Sequence, residues 1–234
     1  MKSSKKQRIV TGSKLALIAI ALAFFFESWP LRIALFAAFT LASLELYYPI
    51  SLGLIFKPPK ITPWVILITA SSAVIVILFP PSLYQIILCF IAAFSYDIGA
   101  YFIGSKYGRT LFTKSPPFHK ISPSKTYEGY IGGLLSSLII TSLYVFLCFA
   151  FLKIQPASST KIICIFGGLV ATIGDLLGSA AKRELALKDS GDFLKFRPYF
   201  SKLEDIMLGH GGYLDRLDSL SLVFLVFFIL HLLV

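Results

Sequence analysis

Seven apolar stretches, at roughly residues 15–29, 31–50, 63–80, 83–104, 127–152, 162–181 and 219–234, constrain this chain more than anything else in it. A helix rises 1.5 Å per residue, so about 20 apolar residues cross the hydrocarbon of a bilayer. Several of the stretches have that length, and the first and last are short. Hydrophobic residues make up 56% of the chain and charged ones 15%, with a mean hydropathy of +0.80, whereas a soluble domain is about a quarter charged. A core of this size could not hide so much apolar side chain from water, so lipid must solvate it. The expected fold class is all-α, a polytopic integral membrane helix bundle with about seven transmembrane helices.

Charge placement tests that topology. With seven spans and the N-terminus inside, all but Arg32, Lys153 and Lys161 of the 22 Lys and Arg residues fall in cytoplasmic segments, as the positive-inside rule requires. The basic lead Lys2, Lys5, Lys6, Arg8 and Lys14 has the look of a signal peptide, but Glu27-Ser28-Trp29-Pro30 follows instead of a small-residue cleavage site. The first stretch is therefore read as an uncleaved span. The expected organisation is residues 1–82 as N-terminal transmembrane helices and 83–234 as a catalytic transmembrane domain with cytoplasmic loops 105–126 and 182–218. The net charge of +10 then reflects topology and attraction to anionic lipid, with no nucleic acid as partner. Cys89, Cys148 and Cys164 lie inside apolar runs with no CxxC pair or nearby His, and are read as packing residues.

Carboxylates inside the spans carry the first chemical signal. Asp97 and Asp175 lie toward the cytoplasmic ends of theirs, and such a group costs about 2.5–3.5 kcal/mol at mid-membrane. The plainer reading is that each is paired with a Lys or Arg; the functional one is that water and a metal reach it. Glu45 has no glycines or cations around it, which favours an interhelical hydrogen bond over catalysis. Asp215 and Asp218 are three residues apart at the start of the last stretch, on one face of a helix. Carboxylates so placed can hold Mg²⁺ through one or two oxygens while leaving room for water and phosphates. The run Gly209-His210-Gly211-Gly212 before them allows a tight turn with amides near an anion. The other cytoplasmic loop carries Arg109, Lys114, His119, Lys120, Ser122, Lys125 and Glu128, whose cations suit phosphates as forks and point charges. A solvated basic loop is the plainer alternative there. His231 reads as an interfacial or packed side chain, and neither His119 nor His210 has a recognisable catalytic partner.

Four separated segments now occur in one order: Asp97-x-Gly99-Ala100-Tyr101-x-x-Gly104-x3-Gly108-Arg109; Ile121-Ser122-Pro123-x-Lys125-Thr126-x-Glu128-Gly129; Ser179-x-x-Lys182-Arg183-x4-Lys188-Asp189-Ser190-Gly191; and Gly209-His210-Gly211-Gly212-x-x-Asp215-Arg216-x-Asp218-Ser219. Together they resemble the phosphatidate cytidylyltransferase (CDP-diacylglycerol synthase) family over about residues 90–225. The stretches before residue 83 match only in hydrophobicity. The chain departs from the family pattern where Asp192 to Leu208 lengthens the link between Lys-Asp-Ser-Gly and Gly-His-Gly-Gly, with Leu208 in place of a proline. That insertion mixes Phe193, Phe196, Tyr199 and Phe200 with Lys195, Arg197 and Lys202, a composition suited to the lipid interface, and is read as a surface loop in preference to a lid.

The resemblance implies transfer of CMP from CTP to phosphatidic acid, giving CDP-diacylglycerol and pyrophosphate, at the inner (cytoplasmic) membrane with the site facing the cytoplasm. It implies Mg²⁺ on Asp175, Asp215 and Asp218, and a second cation such as K⁺. Catalysis would fall to these aspartates with Lys182, Arg183, Lys188, Asp189, His210 and Arg216. Substrate binding would fall to Asp97, Arg109, Ser122, Lys125, Glu128, Ser179, Gly211 and Gly212. A homodimer follows by analogy. The alternatives are a related CTP-dependent lipid kinase, which would release CDP, and an ion-coupled transporter, which would use intramembrane carboxylates but not the clustered cations. A CDP-alcohol phosphotransferase lacks support because its Asp-Gly-x2-Ala-Arg hallmark is absent.

Overall fold

The computed structural model describes residues 29–51, 58–79, 81–112, 116, 121–123, 125–186 and 213–233. Among them are the helices α1 (Trp29–Ser51), α2 (Thr62–Leu78), α3 (Leu83–Tyr107), α4 (Tyr127–Leu152), α5 (Ser158–Glu184) and α6 (Leu214–Leu233), and no strand. Each expected stretch from 31–50 onward is one of these helices. The stretch at 15–29 lies outside the described residues except for Trp29, which opens α1.

Helices α1, α3, α4 and α5 are long and apolar enough to cross a membrane; α2 and the Leu217–Leu233 part of α6 are apolar but shorter. In α4 only 17% of the most apolar stretch is buried, and Ile139, Leu143, Phe146 and Phe151 all face outward. Water would not tolerate so large an apolar face on a monomeric protein, and lipid does. This is a membrane protein.

The chain divides into two compact units, one of Met1–Leu83 with Ala181–Leu217, the other of Tyr84–Ala180 with Asp218–Val234. In the first, α1 packs against α2, and Ser43 Oγ meets Thr69 Oγ1 at 2.7 Å in their buried contact. Helix α2 begins with Pro63 in its first turn, where a missing N–H does no harm. Its flanking residue Ile61 offers no side-chain cap. The last turn of α5 supplies one: the Glu184 carboxylate accepts from the backbone N–H groups of Lys60 at 3.1 Å, Ile61 at 2.8 Å and Thr62 at 2.9 Å, and from the Thr62 hydroxyl at 3.0 Å. These are the donors a helix start leaves unmatched, met here by a residue more than a hundred positions away.

In the second unit, small residues let α3 and α4 approach closely. A Cβ added at Gly133 would lie 2.6 Å from the Tyr96 ring, and one at Gly129 would lie 3.0 Å from the Ala100 carbonyl oxygen. Where lipid surrounds the helices, such contact takes over much of the cohesion that burial from water gives soluble proteins. Ser137 Oγ donates to the Ala92 carbonyl at 3.0 Å across the same seam. At the far end of α6, the exposed His231 stacks on Phe227 and reaches Ser159 Oγ through Nδ1 at 3.3 Å. Cys89, Cys148 and Cys164 are buried free thiols.

Candidate active site

In the second unit the candidate site is built on α3, α4, α5 and α6 and the turn before α4. Helix α3 closes with Gly108 N–H donating to the Gly104 carbonyl at 3.1 Å, and Arg109 then takes a left-handed conformation, φ 66°. The chain behind Arg109 is held from α4. Glu128 Oε1 accepts from the backbone N–H groups of Leu111 at 3.0 Å and Phe112 at 2.9 Å. Glu128 is itself buried, 3% exposed. These hydrogen bonds clamp the loop that presents Arg109, whose side chain is exposed. A turn closed by Lys125 N–H on the Ser122 carbonyl at 3.3 Å brings the chain to α4. Thr126 caps α4 there, its hydroxyl accepting from Gly129 N–H at 3.2 Å.

Lys125 is delivered by this turn to Asp175 of α5, and the two form an ion pair. The ammonium lies 6.0 Å from the centre of the Tyr96 ring and 5.6 Å from that of Tyr130, so two aromatic faces add to its stabilisation. Asp97 on α3 is within electrostatic reach of both Lys125 and Asp218. Asp218 is buried on α6, where its Oδ1 accepts from Ser219 N–H at 2.7 Å. It is pressed against the spacing Gly174-x3-Gly178 on α5. A Cβ at Gly174 would lie 2.6 Å from the Asp218 carbonyl oxygen, and one at Gly178 would lie 2.7 Å from Asp218 Oδ2. The absence of side chains at these glycines makes the space that Asp218 occupies. Ser179, next to Gly178, is partly exposed.

The first unit holds a second ion pair. Lys182, in the last turn of α5, binds Asp215 Oδ1 in the first turn of α6, and both side chains are largely buried, 11% and 16% exposed. Arg183 beside it is exposed, and Arg216 follows Asp215 on α6. Lys188, Asp189, His210, Gly211 and Gly212 lie outside the described residues, as do Lys114, His119, Lys120 and the insertion 192–208. The sequence reading passed over Glu184 as a site-supporting residue. A carboxylate directly after Lys182-Arg183 was the available signal. It also passed over the Gly174-x3-Gly178 spacing, a helix-contact pattern legible in the chain.

Among the described residues no three His, Cys, Asp or Glu side chains converge on a single metal position. Mg²⁺ needs fewer, since one or two carboxylates with water and substrate phosphates complete its octahedron. Asp218 lies in the space that the glycines of α5 leave, and Asp175 is on that same helix; carboxylate oxygens are the donor type such an ion takes.

A family model described as "Cytidylyltransferase family" matches residues 61–234. The chain belongs to the cytidylyltransferase family. Among the curated members it resembles, the phosphatidate cytidylyltransferase of Bacillus subtilis (strain 168) is 36% identical over 133 residues, 57% of this chain and 42% of that protein. That of Haemophilus influenzae is 32% identical over 142 residues, 59% of this chain and 42% of the relative. That of Staphylococcus haemolyticus is 38% identical over 142 residues, 60% and 46% respectively. The matched stretch is thus less than half the length of these cytidylyltransferases. Both lysine–aspartate pairs fall within the residues that the family model covers.

Proposed function

We propose that this chain is a phosphatidate cytidylyltransferase, transferring CMP from CTP to phosphatidic acid to give CDP-diacylglycerol and pyrophosphate in phospholipid biosynthesis. The observation that carries the reading is the pairing of a cation with an aspartate in each unit, Lys125 with Asp175 and Lys182 with Asp215, on the motifs that resemble this family. An oxygen of the lipid phosphate is the nucleophile, and it is anionic at neutral pH, so no strong base is required. It attacks the α-phosphorus of CTP. A new P–O bond forms as the bond from the α-phosphorus to the bridging β-oxygen breaks, and that oxygen leaves with pyrophosphate.

Two crowded anions must meet for this to happen, so the protein's task is charge and alignment. Lys125 and Lys182 would serve as point charges on the phosphates, Arg109 and Arg183 as forks. Before substrate arrives, Asp175 and Asp215 keep the two ammonium groups in place as neutral pairs. Asp97, Ser122 and Ser179 would line the substrates, and Glu128 would act on them through the Arg109 loop. Lys188, Asp189, His210, Gly211, Gly212 and Arg216 join the site on the strength of the family resemblance. On the strength of the same resemblance Asp175, Asp215 and Asp218 would hold Mg²⁺, which when bound supplies charge neutralisation and a template for the in-line geometry. A second cation such as K⁺ rests on the resemblance alone. The same reading places the chain in the bilayer of a bacterial cytoplasmic membrane with about seven spans, the site facing the cytoplasm, and as a homodimer.

Detergent-purified protein given phosphatidic acid, labelled CTP and Mg²⁺ should yield labelled CDP-diacylglycerol with one pyrophosphate per lipid. Labelled CDP with a newly phosphorylated lipid would replace this reading by a lipid kinase, and no nucleotide chemistry would refute it. Asp215→Asn should lower turnover by about 10²-fold or more in a protein that still inserts, and unchanged turnover would remove Asp215 from the site.

A further inference from the structure

Glu45 is a carboxylate set in the apolar sequence of α1, within a helix long enough to span the bilayer and ahead of the residues that the family model matches. It is buried, 4% exposed. A charged group in such a place is retained only where something holds it. Its two oxygens reach the start of α6 separately: Oε1 accepts from Tyr213 N–H at 2.8 Å and Oε2 from Leu214 N–H at 3.0 Å. These amides have no partner within their own helix, and the helix dipole favours an anion beside them. The residue preceding α6 is Tyr213, not one of the short polar types that cap a helix locally. The next residue along is Asp215, which pairs with Lys182.

We propose that Glu45 is a positioning residue for the reaction, fixing the first turn of α6 so that Asp215 is presented to Lys182; its functional consequence rests on the cytidylyltransferase reading. A helix start without this cap frays by a turn, and Asp215 lies in that turn. Helix α1, which precedes the residues that the family model matches, thereby contributes one specific group to the part of the chain that the model covers.

The test compares the full-length protein with Glu45→Gln in detergent by two measurements that need no turnover. Amide hydrogen exchange at Tyr213 and Leu214 should rise about tenfold or more when the charged acceptor is lost, with exchange in α3 and α4 unchanged. Labelling of Lys182 by an amine-reactive reagent, read by mass spectrometry, should rise by a similar factor as Asp215 withdraws. Unchanged exchange overturns the cap, and raised exchange with unchanged Lys182 labelling overturns the positioning role. If Glu45→Gln does not survive purification, Glu45→Asp, which keeps the charge but draws it back by one methylene, is read in the same way. Turnover, where the wild type has it, should fall about tenfold with the KM for CTP little changed; normal turnover despite a released Lys182 overturns the functional role. A wild type without nucleotide chemistry would refute the cytidylyltransferase reading while exchange and labelling still decide whether Glu45 holds Asp215 to Lys182.

Discussion

Lys182 and Asp215 form an ion pair in a largely buried place, so removing one takes from the other a charge that offsets the cost of its burial. Lys182→Met should destabilise the protein by about 3 kcal/mol, read as a fall in thermal midpoint in detergent. Lys182→Met combined with Asp215→Asn should recover most of that loss and none of the turnover. Such a result would separate the pair's part in stability from its part in chemistry. Gly178 makes a sharper prediction, because a Cβ there meets both Cβ and Oδ2 of Asp218. Gly178→Ala should cost about 1–3 kcal/mol by overpacking, and should lower turnover more than a Gly→Ala change on the lipid face. At this scale the sequence marks candidate residues but not what they touch. Asp175 stood out as an acid in an apolar run, with ion pairing as its plainer explanation, and the structure pairs it with Lys125. Pairing and substrate chemistry are compatible here, since an anionic phosphate can take the lysine from its carboxylate.

The helices themselves were legible because lipid imposes a simple length rule on apolar runs. Their beginnings were not. Helix α2 begins without a local side-chain cap and takes Glu184, and the start of α6 takes Glu45, across separations of more than a hundred residues. No window along the chain contains that information, whereas Thr126 caps α4 from three residues away and leaves a readable local pattern. Glu184→Ala should destabilise the protein by about 2 kcal/mol, the scale of lost hydrogen bonds to a charged acceptor. It should also raise amide exchange at Ile61 and Thr62 while leaving the start of α4 protected. Equal loss of protection at both helix starts would show a global effect and discard the specific cap.

Across the whole molecule, topology is the property most open to direct measurement. Lys106 ends α3 and Lys153 follows α4, and both are exposed. With α4 crossing once between them, they should lie on opposite faces of the membrane. Single cysteines introduced at Lys106 and Lys153 should react with an impermeant maleimide from opposite sides of sealed vesicles, position 106 from the cytoplasmic side. Cys89, Cys148 and Cys164 are buried and should remain silent. Labelling of both positions from one side would overturn the topology. The Lys125–Asp175 pair has a further consequence for how such a chain is made. Synthesis runs from the N-terminus, so the cation of the pair emerges before its acid. By the time α5 leaves the ribosome, the turn carrying Lys125 has already been made. Asp175, alone an obstacle of about 2.5–3.5 kcal/mol to lateral release from the translocon, meets a waiting partner, and chain order itself smooths its entry into the bilayer.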